Sequence, residues 1–287
     1  MEFSAGVLFA LVALVSWGFG DFLISRSTKK FGDWETLFVI TAFGAVALTP
    51  FVYADLGQFL AFDLGFWILL AGSIVIFFAA LLDFEALKQG KLAIVEPMLS
   101  LEVPLTVLLA FLVLGETMSL EQGILIGLVL LGLLLVSLKH ARVSRKLLEK
   151  GVLIGAGGAV LMGTANFLIG YGSRLTSPLL VNWFMNVFIA LACLAYILAA
   201  GRTKSLVGHV KSNKGLFLGV SILDNGAWIA YAFAIALAPF GLVIAISESY
   251  IALSVLLGLL VNRERIHAHQ KIGLVLALAG VILLASL

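Results

Sequence analysis

Charge is what this chain has least of. Only 12% of its 287 residues are Asp, Glu, Lys or Arg, while 62% are hydrophobic and the mean hydropathy is +1.16. A soluble domain carries about 25% charged residues, so this balance excludes one and predicts an integral membrane protein. Cysteine is nearly absent as well. Cys193 stands alone in an apolar run, which excludes an internal disulfide and offers no metal-site spacing. The four histidines (His140, His209, His267 and His269) fall in predicted loops. His267 and His269 have no further ligands nearby, so no metal is expected. The chain has no Gly-rich phosphate loop, which argues against ATP hydrolysis, and no cofactor is implied. A net charge of only +2 gives no nucleic-acid footprint. The N-terminal MEFSAG lacks the basic region of a cleaved signal, so the first apolar segment is expected to stay.

What the chain does have is apolar runs. A spanning helix needs about 20 mostly apolar residues, and the sequence supplies about ten such runs. They lie near 3–24, 35–54, 64–87, 92–114, 122–138, 151–173, 178–200, 215–237, 240–261 and 270–287. The connections are short, so the function must reside in the helix bundle or its short loops. Loops after odd-numbered runs hold 17 of the 18 Lys and Arg residues, and loops after even-numbered runs hold only Arg174. Basic residues are retained on the cytoplasmic side. Both termini are therefore expected outside a cell membrane crossed many times, with the charged stretch Lys139 to Gly151 in the cytoplasm.

That stretch sits near the midpoint, and the residues after it repeat those near the start. Gly6 to Ile24 and Gly151 to Ile169 are identical at 8 of 19 positions, and Leu105 to Leu138 matches Leu253 to Ser286 at 13 of 34. The second match includes Glu116/Glu264, Gln122/Gln270 and Gly132/Gly280. The predicted fold is all-α, with two five-helix repeats at 1–138 and 151–287 joined by a linker at 139–150. An odd number of spans per repeat inverts the second copy, and corresponding loops do carry opposite charge bias: DLGQFLAFD is acidic where GRTKSLVGHVKSNKG is basic.

Three short features carry a family resemblance. Trp17 and Gly18 stand in the first run, Leu114 to Glu116 reads Leu-Gly-Glu at the end of the fourth, and Gln122 with Gly123 opens the fifth. Over essentially its whole length the chain resembles the EamA-like branch of the drug/metabolite transporter superfamily. The second copy departs at Asn262, Arg263 and Glu264, where the Leu-Gly before the Glu is lost. That makes Glu264 a helix-end or interface feature rather than a substrate ligand. The resemblance implies small metabolites, amino acids or amphipathic cations as substrates, with export more often than import.

Carboxylates at membrane depth are expensive, about 2.5 to 3.5 kcal/mol each on insertion scales, and therefore point to function. Glu102, Asp224 and Glu248 lie deep; Asp21, Asp83, Glu85 and Glu96 lie nearer the cytoplasmic ends. No Lys or Arg lies deep enough to pair with them, which favours protons or cations as partners. The bland alternative is that each is neutral, hydrogen-bonded to a neighbouring helix and serves packing. Helical spacing places Trp17 with Asp21, Asn182 with Asn186, Asp224 with Trp228 and Tyr231, and Glu102 with Thr106 on common faces. Asn166 occupies the repeat position of Asp21, with Gly163 and Gly170 on its face; close helix packing is the alternative reading of both glycines. Glu96 and Glu102 lie six residues apart, and only a bend at Pro97 or Pro104 would aim both at one ligand. Trp17, Trp228, Tyr231 and Tyr250 could wall a cavity for an organic cation, whereas Trp34, Trp67 and Trp183 read as interface anchors.

The sequence thus predicts a secondary transporter rather than an enzyme, working by alternating access with a buried carboxylate exchanging protons for substrate. Lipid, a small solute and protons are its expected partners, and the chain is expected to be a monomer or homodimer. A membrane-embedded enzyme would need a nucleophile with a base, and the buried serines have no histidine beside them. A passive channel is disfavoured by the repeats.

Overall fold

The computed structural model describes residues 4–89, 102–137, 150–253 and 267–285. Glu96, Pro97, Asn262 to Glu264 and residues 139–149 of the predicted linker lie outside them. Helix is the only regular structure among the described residues. The helices are α1 (Ala5–Phe31), α2 (Asp33–Val52), α3 (Leu64–Gln89), α4 (Glu102–Leu114), α5 (Leu120–Ser137), α6 (Lys150–Leu175), α7 (Pro178–Ala199), α8 (Thr203–Ser212), α9 (Lys214–Leu237), α10 (Phe240–Ser247) and α11 (Ala268–Ala285). A 3₁₀ segment, Tyr53–Ala61, follows α2. Five helices (α1, α2, α3, α7 and α9) are long and apolar enough to cross a membrane, and α4, α5, α10 and α11 are shorter apolar helices. The described residues thus show part of the expected ten spans and not the full set.

Local chemistry sets the ends. Ser4 caps α1 by accepting from the Val7 amide at 3.3 Å, and Ser177 caps α7 ahead of Pro178. Pro suits the first helical turn because the amide it lacks would be unpaired there anyway. Between α1 and α2 the chain reverses through Gly32 alone, at φ 97°, a left-handed conformation that favours glycine. Two expectations change in detail. The loop after the seventh run contains the short helix α8, with Leu206 buried and Lys204 and Lys211 on its length. The ninth run is not continuous: α10 stops at Ser247, Glu248 and Ser249 form a turn, and helix resumes at Tyr250.

The packing follows the repeat. By the sequence matches α1 corresponds to α6 and α5 to α11; the order of the runs pairs α2 with α7, α3 with α9, and α4 with α10. Helix α1 packs on α9 and α10, while α6 packs on α3 and α4. Helices α2 and α7 pack on each other, as do α5 and α11. Exchanging the two halves therefore maps this set of contacts onto itself. The clearest case is the matched pair Gly132 and Gly280. A Cβ on Gly132 would meet the backbone of Ala277 and Gly273, and one on Gly280 would meet Val129 and the Leu125 carbonyl. Those partners are themselves repeat counterparts, so the contact is reciprocal, as it is across a two-fold axis. Small residues let helix backbones approach closely where lipid gives no hydrophobic drive.

Leu8, Val12, Val15 and Phe19 form an exposed apolar stripe on α1 suited to acyl chains. The interior divides into two hydrophobic clusters, one around Tyr231, Phe240 and Ile244, the other around Ile40, Ile169 and Ile189.

Candidate functional site

The seam between those two clusters holds a cavity of about 820 Å³, its open mouth included. Trp17, Asp21 and Ile24 of α1, Asp83 of α3, Glu102 of α4, Asn166 of α6, Asn186 of α7, Asp224 and Trp228 of α9, and Glu248 and Tyr250 at the α10 break all line it. On α1, α2 and α3 its lining lies on the half nearer the basic loops; on α7 and α9 it lies near the middle. Five carboxyl groups face this space, and no Lys, Arg or His lines it among the described residues.

The centre of the acidic set is a pair. The carboxyl groups of Glu102 and Glu248 lie within reach of each other, and two carboxyl groups can join by a hydrogen bond only when one carries a proton. Both residues are buried. Sequence spacing could not show this, because they lie on different helices 146 positions apart. Gly163 makes the pairing possible. A Cβ there would lie 2.8 Å from the Glu102 carbonyl oxygen, so only glycine lets α6 come this near α4. Thr106 ties the crossing by donating to the carbonyls of Glu102 and Gly163, each at 2.9 Å. Asn166, one turn further on, donates from Nδ2 to Glu102 Oε2 at 3.4 Å, and its Oδ1 has no hydrogen-bond partner. Glu248 stands where α10 ends, and Ser249 returns its hydroxyl proton to the Ala245 carbonyl at 2.7 Å. Such back-bonding bends helices, and non-helical backbone at membrane depth is tolerated where it lines a cavity.

Trp17 meets Trp228 edge-on at 5.1 Å and lies 6.0 Å from Tyr250, forming an aromatic wall. Two sequence candidates stand behind the wall instead of on it. Tyr231 is fully buried, packs 5.6 Å from Trp17 and donates to the Asn166 carbonyl at 3.2 Å. Asn182 donates to the carbonyls of Pro178 and Trp228 at 2.8 and 3.4 Å, which fastens α7 to α9. Its neighbour on the same face, Asn186, does line the cavity and donates to Asn225 Oδ1 at 2.9 Å. Asn225 then donates to the Ile40 carbonyl at 3.0 Å, linking α9 to α2. Sequence reasoning passed over Asn225, which carried no signal beyond being polar beside Asp224. Asp83, expected nearer a cytoplasmic helix end, lines the cavity close enough to Glu102 and Glu248 to interact with both. The i, i+4, i+7 stripe Ile76, Ala80, Asp83 was its signal. Gly170 packs against Phe240 and Ile235, so it and Gly163 both serve close approach.

At the end of the bundle away from the basic loops, one side chain ties several helix ends together. Arg174, the lone cation of the even-numbered loops, pairs with Glu116 at 2.5 Å and donates to the carbonyls of Ile235 and Ala238 at 2.9 and 3.0 Å. Its guanidinium also sits 4.7 Å over the Phe240 ring. Glu116 in turn accepts from the Phe240 amide at 2.9 Å, the first of α10. One arginine thus fastens the ends of α4, α6, α9 and α10. Trp67 is 55% exposed, as an interface anchor would be, while Trp34 stacks on Tyr196 at 3.9 Å and Trp183 donates to Thr49. His267 and His269 stack on each other, and no cluster able to hold a metal occurs among the described residues.

Comparison with known proteins supplies the family. No curated protein matches the chain. One solved crystal structure, titled only "Crystal structure of protein", aligns over 99% of both chains with a TM-score of 0.76 at 18% identity, a likeness of fold alone. The profile of the EamA-like transporter family matches twice, at residues 4–138 and 149–286, which together cover almost the whole sequence. With its apolar helices, its repeated packing and this double match, the chain is a multi-pass membrane protein and belongs to the EamA-like transporter family, a branch of the drug/metabolite transporter superfamily.

Proposed function

We propose that this protein is a secondary active transporter that exchanges protons for small amine-bearing or cationic solutes by alternating access. The observation that carries this reading is the cavity with five carboxyl groups and no basic side chain among its described lining. A cation entering there meets these acids and an aromatic wall, which attracts ammonium groups through the ring quadrupole. The end of α10 adds to this, since a broken helix turns the negative end of its dipole toward the cavity. The Glu102–Glu248 pair supplies an exchangeable proton: an arriving cation ionises the pair, and departure of the cation restores the proton. Coupling follows because the same site serves both. Amino acids fit less well, as no described lining residue offers a cation to their carboxylate.

In this reading the basic loops are cytoplasmic, both termini lie outside the cell membrane, and the cavity is reached from the cytoplasm while Arg174 closes the outer end. Cysteines at Ser4 and Ser144, in a Cys193→Ala background, should label unequally with an impermeant reagent on intact cells. Ser4 is expected to react and Ser144 to stay protected; the reverse would overturn the orientation. The closure has its own test. A Thr41→Cys probe in the cavity should be shielded from the same reagent, and adding Arg174→Ala should speed its labelling several-fold and lower the unfolding temperature by several degrees. Unchanged labelling would mean that Arg174 is not part of the closure.

Substrate class is tested by thermal-shift screening of the solubilised protein against amines, amino acids and sugars, since a ligand of the folded state raises its apparent stability. Shifts confined to amines are expected. Shifts with sugars alone would remove the cationic reading.

A further inference from the structure

Asn166 is 1% exposed, lines the cavity, and holds Glu102 with its amide nitrogen, while its Oδ1 has no partner. A buried acceptor without a donor is uncommon in a folded protein and calls for an explanation. A second one lies on the neighbouring helix. Asp83 Oδ1 is also buried without a hydrogen-bond partner, and α3 packs against α6 so closely that a Cβ on Gly158 would reach the Asp83 amide at 3.8 Å. The Glu102 carboxyl, held by Asn166, lies near enough to interact with both Asp83 and Glu248. Every unsatisfied group on this side of the cavity is thus an oxygen acceptor. What is missing is a donor with several N–H groups.

We propose that this wall is a subsite for a primary ammonium group, which donates to Asn166 Oδ1, Asp83 Oδ1 and the Glu102–Glu248 pair. The inference rests on the transporter reading above and sharpens it. A quaternary ammonium satisfies the charge of the acids and the aromatic wall of Trp17 equally well, but it has no N–H to give. An ammonium bearing three N–H groups meets all three acceptors, and each hydrogen bond involving an ion stabilises more than a neutral one. Asn166 is then a specificity-determining residue. Its Oδ1 is uncharged, so what that atom adds is confined to ligands that can donate.

The test uses the full chain in detergent, titrated calorimetrically with n-butylammonium and with n-butyltrimethylammonium at equal ionic strength. Both carry one positive charge on the same tail. The primary amine is expected to bind at least about tenfold more tightly, the equivalent of one or two hydrogen bonds to charged groups. Asn166→Ala is expected to cut that preference several-fold, with the trimethylated probe reporting any change in general cation binding. Equal or tighter binding of the trimethylated probe overturns the subsite, as does binding of neither. A preference that survives Asn166→Ala overturns the role of Asn166 and leaves its oxygen to water only. Uptake of 1,4-diaminobutane by proteoliposomes of the same preparation separates the two readings. Coupled uptake without the preference keeps the transporter and removes the subsite; the preference without uptake keeps the subsite and removes the transporter.

Discussion

Glu248→Gln is expected to abolish pH-driven accumulation of amines in proteoliposomes, by tenfold or more, while the protein remains folded. Glutamine keeps the volume of the side chain and can still hydrogen-bond to Glu102, so the contact that orients the pair survives. The exchangeable proton does not. Glu248 is 3% exposed, and no basic residue among the described residues lines its cavity to balance its charge. Leaving a carboxylate uncompensated at membrane depth costs about 2.5 to 3.5 kcal/mol on insertion scales, a factor of roughly 100 in population. That difference is what couples proton release to cation entry, and an amide has no such states. Glu116→Gln is the control. Glu116 binds Arg174 and the Phe240 amide at the far end, so its loss should reduce stability and leave coupling intact. Full pH-driven transport by Glu248→Gln would make that carboxyl structural and pass coupling to Glu102, Asp83 or Asp224.

Gly132→Val is expected to be the most damaging apolar substitution in the chain. Its Cβ would stand 2.5 Å from the Ala277 nitrogen, 2.7 Å from the Gly273 oxygen and 2.9 Å from the Ala277 Cα. These are backbone atoms, which cannot rotate aside, so α5 and α11 must separate. Overpacking of this kind destabilises by about 1–3 kcal/mol and sometimes more. Here it also breaks one of the contacts that join the two repeats. Little folded protein should be recovered, or its thermal midpoint should fall by several degrees. Gly280→Val should be milder, because its nearest neighbour is a Val129 methyl at 2.7 Å, which can move, while the Val129 nitrogen is 3.4 Å away. Gly127→Ala should be silent, with nothing within 4 Å. A Gly132→Val protein as stable as wild type would remove α5 against α11 as a tight interface.

These cases show what was legible in the sequence. Helical periodicity and the repeat matches are local or register-based signals, so the all-helical class, the family and the paired Gly132 and Gly280 could be read from residue order. Deep carboxylates are conspicuous in apolar runs, and Glu102, Asp224 and Glu248 stood out for that reason alone. Which of them touch was not legible, because the Glu102–Glu248 pairing depends on how near α6 lets α4 and α10 approach. The place of Asp83 was not legible for a related reason: distance from the helix end does not give depth where α3 extends past the cavity to Gln89. Tyr231 shared a face with Asp224 and Trp228 as expected, yet it turns into the protein and supports Asn166 from behind. A face is 100° wide or more, and spacing cannot say which edge of it meets open space. The turn at Glu248 carried no proline or glycine to announce it. The role of Arg174 depended on four helix ends meeting, which no linear reading supplies.

The most direct test of the account is transport against a gradient. Proteoliposomes with the membrane potential clamped at zero are given equal 1,4-diaminobutane on both sides and a proton gradient, with protein-free vesicles as the baseline. The account predicts net movement of the amine toward the acidic side, opposite to the proton flow, up to a concentration ratio set by the proton gradient, and no such movement with Glu248→Gln. Equal concentrations that stay equal above the protein-free baseline, while labelled amine still exchanges across the membrane, would mean an uncoupled pathway and would contradict it.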